Sequence, residues 1–138
     1  MATPVEPWQP ILDAFTQLRS AWPAREWTWD HRFKCATSAI PGDAATSAKT
    51  TMLVATPSEW DAASFATAPE AIRALAERCG ELRPGQSLFT GSAVGGMTPF
   101  AMWWPWGDGS KVSIRLGVAG SDRQKELFPL LRGIFGIV

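Results

Sequence analysis

His31 is the single histidine of the chain, and it stands four residues before Cys35. Thiol and imidazole make a nucleophile and base when they touch, but in an extended strand four residues span about 13 Å, so direct proton transfer would need a bent backbone. Ser92 lies in the run GSAVGG at 91–96, which lacks the GxSxG arrangement, and no histidine follows it, whereas an α/β-hydrolase places its histidine last. The same run can aim backbone N–H groups at an anion. It has neither the Lys-Ser/Thr ending of a P-loop nor GxGxxG spacing, so it reads as a turn, and no ATP, NAD, FAD or other cofactor is expected. One histidine and two cysteines, Cys35 and Cys79, are not grouped at ligand spacing, and no metal is expected. Asp30 and Arg32 share one strand face as a solvated ion-pair surface.

The tryptophans are the stronger signal. There are 8 of them and no tyrosine, and Trp103, Trp104 and Trp106 fall within four positions. Strand alternation separates Trp103 from Trp104, and a turn carries Trp106 outward or across an edge. Trp103, Trp106 and the turn residue Asp108 therefore form a candidate protein-binding surface, with Trp104 assigned to packing. If Trp103 and Trp106 are exposed together, the same patch would support a homodimer. A second candidate is a pocket between sheet and helix, lined by Trp27, Trp29 and His31, with Arg115 fixing a small acidic ligand through a charge-assisted hydrogen bond. Against it, His31 shares its expected strand face with Trp27, Trp29 and Phe33, which suits a hydrogen-bonded core histidine. With no catalytic constellation in view, a non-enzymatic protein-binding or adaptor domain is the favoured function. The alternative is a small-molecule-binding protein or enzyme with an aromatic pocket.

Composition sets the frame for these sites. A chain of 138 residues with 46% apolar content suits one domain, 1–138, with a sizeable core. Thirteen basic and thirteen acidic residues cancel, which removes the whole-chain electrostatic case for nucleic acid or an anionic membrane. Lys111 and Arg115 share a strand face, but two charges do not make a nucleic-acid surface. No window approaches a membrane span, and the first residues show no basic segment followed by an apolar one. Two distant cysteines suit thiols in a reducing compartment. Cytoplasmic location is the expectation.

The elements that position these residues follow from periodicity and turn chemistry. In the stretch 98–118, Phe100, Met102 and Trp104 alternate with Ala101 and Trp103, so both faces are apolar. On the return, Val112, Ile114, Leu116 and Val118 oppose Lys111, Ser113, Arg115 and Gly117. PWGDGS between them predicts a hairpin loop of several residues. A helix is expected over 10–21 from Ile11, Leu12, Phe15 and Leu18, ended by Pro23. One strand is expected over 26–35, a loop over 36–48 and a strand over 49–55. Thr56, Pro57 and Glu59 spell a helix start that would carry Trp60, and Thr67, Pro69 and Glu70 start another helix running to Cys79, with Gly80 to end it. Pro84 and Gly85 precede a short strand at 87–90. Ser121 and Gln124 offer a capping box for a last helix on Leu127, Leu130, Leu131, Ile134 and Phe135, with Pro129 expected to kink or break it. The fold class is α+β, a single compact domain with a mostly antiparallel sheet of four or five strands and packing helices.

Overall fold

The hairpin is the centre of the structure. In the computed structural model, which describes residues 8–23, 26–78, 85–120 and 123–137, β5 (Thr98–Pro105) pairs antiparallel with β6 (Lys111–Ala119), with Thr98 opposite Ala119 and Pro105 opposite Val112. The connection closes through Trp106 N–H to the Lys111 carbonyl at 2.9 Å and Gly109 N–H to the Trp106 carbonyl at 3.0 Å. Gly109 takes φ 74°, which an L side chain adopts only with strain. The sheet grows outward on both sides, with β2 (Cys35–Pro41) on β6, β4 (Ser87–Thr90) on β5, and the short strands β1 (Thr28–Asp30) and β3 (Ser58–Asp61) at the edges. The order is β1-β2-β6-β5-β4-β3, antiparallel throughout. The described residues thus make a single compact α+β domain of four α-helices and one six-stranded sheet.

Two cores lie on the two faces of this sheet. On the first face, α1 (Gln9–Ala21), α2 (Ala45–Ala55) and α4 (Gln124–Ile134) cover Ala36, Ile40, Phe89, Ala101, Trp103, Ile114 and Leu116. α1 contacts both α2 and α4, and α4 lies against β2 and β6. An aromatic chain closes this layer, with the rings of Trp22 and Trp27 5.3 Å apart, those of Trp27 and Phe135 4.4 Å apart, and those of Phe135 and Phe15 6.1 Å apart. On the second face, Leu75 and Ala76 of α3 (Glu70–Arg78) pack with Cys35, Leu88, Phe100, Met102 and Ala119. Both apolar faces of the first hairpin strand are thus covered within the domain.

Five expectations from the sequence need correction. The strand expected over 26–35 is broken at 31–34 by a turn that the Asp30 side chain organises, and the loop expected over 36–48 holds β2, a 3-10 turn at Gly42–Ala44 and the start of α2. The run 49–55 is helical. Its buried residues, Ala48, Met52 and Ala55, recur at helical spacing, and Thr50 and Thr51 donate their hydroxyls to the carbonyls four residues back. Burial of that stripe against the first core outweighs the β preference of Thr and Val. Trp60 is on β3 instead of a helix, because pairing with Leu88 and an indole hydrogen bond to Thr90 Oγ1 at 3.2 Å satisfy it at the sheet edge. α4 runs unbroken through Pro129, held by Leu127 and Leu131, both fully buried on either side of it. These reassignments give six strands in place of four or five. Cys79, Gly80, Pro84 and Ser121 lie outside the described residues.

Gly117 shows how tightly the second core closes on the hairpin. A Cβ there would stand 2.8 Å from Phe100 Cζ and 3.1 Å from Cys35 Cβ, so the ring packs directly over bare backbone. Gly117→Ala is expected to destabilise the fold by about 1–3 kcal/mol through overpacking, read as a lower midpoint in urea with an unchanged slope. An unaltered midpoint would refute this packing.

Candidate functional site

The site begins with one carboxylate. Asp30 ends β1, and its Oδ1 accepts the backbone N–H groups of Arg32 and Phe33, each at 2.9 Å, while its own carbonyl accepts Lys34 N–H at 2.8 Å. This is the local side-chain-to-backbone bonding for which Asp is favoured in turns. The turn closes with Lys34 at φ 56°, the one described non-glycine residue in the left-handed region. The other oxygen, Oδ2, accepts Arg115 Nε at 3.3 Å, which ties the turn across β2 to the middle of β6.

Arg115 is thereby held beside two aromatic rings. Its guanidinium carbon lies 4.3 Å from the Trp104 ring centroid and 5.8 Å from that of Phe33. The stack leaves the Trp104 indole N–H sealed from solvent with no acceptor among the described residues. Such a donor costs about 1–3 kcal/mol of lost solvation, a penalty that the stacked cation and ring burial must outweigh. Burial by itself would raise the Asp30 carboxyl pKa, but the hydrogen bonds from Phe33 N–H, Arg115 and Arg32 N–H outweigh it and hold the carboxyl below its usual value.

Beyond this stack the second face opens towards the tip of the hairpin, where Ser113 is half-buried and Lys111 and Trp106 are exposed. Trp106 is 44% exposed, yet its indole N–H donates to Ser113 Oγ at 2.8 Å and Lys111 Nζ sits 5.4 Å over its ring. Asp108 turns one oxygen inward to accept Ser110 Oγ–H at 2.7 Å and Ser110 N–H at 2.9 Å, which keeps its carboxyl below the usual value. It forms the turn. Trp103 is on the opposite face, 7% exposed in the first core, with Lys49 Nζ 5.9 Å from its ring. The condition for a shared Trp103–Trp106 surface, joint exposure, is not met, since Trp103 and Trp106 lie on opposite faces of the sheet and the helices claim the Trp103 side.

The residues expected to line an aromatic pocket separate in the same manner. Trp27 is buried against Trp22 and Phe135. Arg115 serves the second face. Trp29 and His31, however, do line one groove of about 430 Å³ on the first face, together with Lys34, Phe128, Arg132 and Gly133. His31 is exposed on the turn and Cys35 is sealed in the second core, so they form no nucleophile–base pair. Among the described residues no three His, Cys, Asp or Glu side chains group to hold a metal ion, and no helix is long and apolar enough to cross a membrane. The sequence reading missed Lys34, Phe128 and Arg132 in the groove and Phe33 in the stack. The available signal was Asp30 itself, two and three residues before amides it can accept. Compared with protein-family models, curated proteins and solved structures, the chain finds no match.

The Asp30 tie has a measurable pH signature. Its folded pKa lies below the ordinary 3.8, so its stabilisation is fully present above that value and is lost as pH falls below it through the folded pKa. Asp30→Asn keeps the turn acceptor but not the anion, and its stability is expected to lack this part of the acid dependence. Asp30→Ala loses both and is expected to cost about 2 kcal/mol at neutral pH. Parallel acid-limb denaturation curves for the wild type and the Asn variant would refute the tie.

Proposed function

We propose that the chain is a non-enzymatic protein-binding domain that engages its partner through the open end of the second sheet face, around Trp106. The observation that carries this reading is that Trp106 is 44% exposed and yet fixed at its indole N–H by Ser113 and over its ring by Lys111. An exposed tryptophan normally keeps rotamer freedom that binding must remove. One held in place loses little on association, and tryptophans of this kind concentrate binding energy. Lys111 beside the ring favours a partner segment that combines an apolar side chain with a carboxylate.

The test is capture from source-cell extract followed by calorimetry with the purified partner. Trp106→Ala is expected to keep the melting temperature nearly unchanged, as surface substitutions do, and to weaken binding by about 30-fold, the effect of losing a hot-spot residue. Lys111→Glu should weaken it further at low salt than at high salt. A native mass near two chains that falls to one in Trp106→Ala would identify the partner as a second copy. Binding left unchanged by both substitutions would overturn the assignment.

A further inference from the structure

The groove beside the Asp30 turn combines three features. His31, Lys34 and Arg132 line it with groups that donate hydrogen bonds or carry positive charge, and its described lining holds no acid. Trp29 and Phe128 meet edge to face at a centroid distance of 5.8 Å, and the Arg132 guanidinium lies 5.8 Å from the Trp29 ring centroid. Its volume of about 430 Å³ falls in the range of small-molecule sites, which pair apolar walls with a few placed polar groups. We infer that this groove binds a small anionic molecule carrying a flat apolar body next to a phosphate or carboxylate, with the body on Trp29 and Phe128 and the anion at Lys34, His31 and Arg132.

Two residues fit this reading and not a purely structural one. Lys34 occupies a left-handed position, φ 56°, where glycine would be less strained, so the turn does not need this side chain for its own geometry. The side chain instead points cationic chemistry into the groove it lines. Gly133 stands inside α4, where glycine weakens a helix, and a Cβ built on it meets nothing within 4 Å. The helix forgoes a side chain where one would fill the groove. The proposal is independent of the partner surface at Trp106, which lies on the other face of the sheet.

The experiment titrates the whole chain with phenyl phosphate, phenylacetate, inorganic phosphate and neutral benzyl alcohol, read by calorimetry and by the indole N–H resonance of Trp29. At least one aromatic anion should bind, and benzyl alcohol and inorganic phosphate should bind about tenfold more weakly or not at all. Which aromatic anion binds more tightly assigns the phosphate or the carboxylate. Lys34→Gly and Gly133→Leu should each weaken binding at least about tenfold while holding or raising the melting temperature, which separates loss of the site from loss of the fold. Gly133→Leu acts by filling the groove and Lys34→Gly by removing charge, so added salt should weaken binding to the wild type more than the residual binding of Lys34→Gly. No binding of either aromatic anion up to about 10 mM, or binding unaffected by both substitutions, would overturn the inference.

Discussion

The Asp30 carboxylate is the constraint on which the surface chemistry of this protein depends. One oxygen holds two amides of the 31–34 turn and the other holds Arg115 at 3.3 Å, so a single side chain fixes both the shape of a loop and the position of a cation on the third strand from the edge. An exposed ion pair contributes little, because each partner can trade the other for water. Here the Asp30 and Arg115 side chains are 17% and 21% exposed, and the carboxylate has a second, backbone-directed role. Loss of the Asp30 carboxylate would free the turn and release the cation stacked on Trp104 together.

Because the turn lies at the edge of the sheet, its side chains part to either face. Phe33 goes to the second face, beside Arg115, whereas His31 and Lys34 go to the first, beside α4. Two surfaces of different chemistry thus share one support. The aromatic face is built on β5 and β6, the most extensively paired strands, and rests on rigid backbone. The groove is built between a strand end and a helix, and its walls meet only through side chains such as Trp29 and Phe128.

The hairpin was legible in the sequence because its signal is local. Alternation at Val112, Ile114, Leu116 and Val118 and the turn residues of PWGDGS act within a few positions, and no distant partner can reverse them. α1 and the residues of the last helix were legible for the same reason. The segment 36–61 was not, because its small and β-branched residues suit strand, helix and loop about equally, and the choice was made by what they bury against. Ala48 and Met52 find the first core as a helix, and Trp60 finds Thr90 as an edge strand. For the sites, residue type was readable and convergence was not. Trp106 was readable as an outward residue from its place in the turn. That Trp27 is sealed in the first core while Trp29 and His31 line a groove beside α4, and that Arg115 serves the other face, depends on which helix packs over each strand and on the β5–β6 register, neither of which is local in sequence.

The strand order also sets how the chain can assemble. β5 and β6 are joined by five residues and can pair as soon as both exist, and β4 lies close behind in sequence. β2 must then find the free side of β6, with Ala36 opposite Leu116 and Pro41 opposite Lys111, across most of the length of the chain. Closing so long a loop loses entropy before the pairing returns any stabilisation. The C-terminal hairpin is thus the natural nucleus, and the arrival of β2 is the slow step. Until that step, the side of β6 that will receive β2 is an unpaired edge, able to accept a strand from another molecule. During synthesis β2 emerges long before its partner, so the interval in which this edge is open to mispairing starts when β6 is complete and lasts as long as β2 takes to dock.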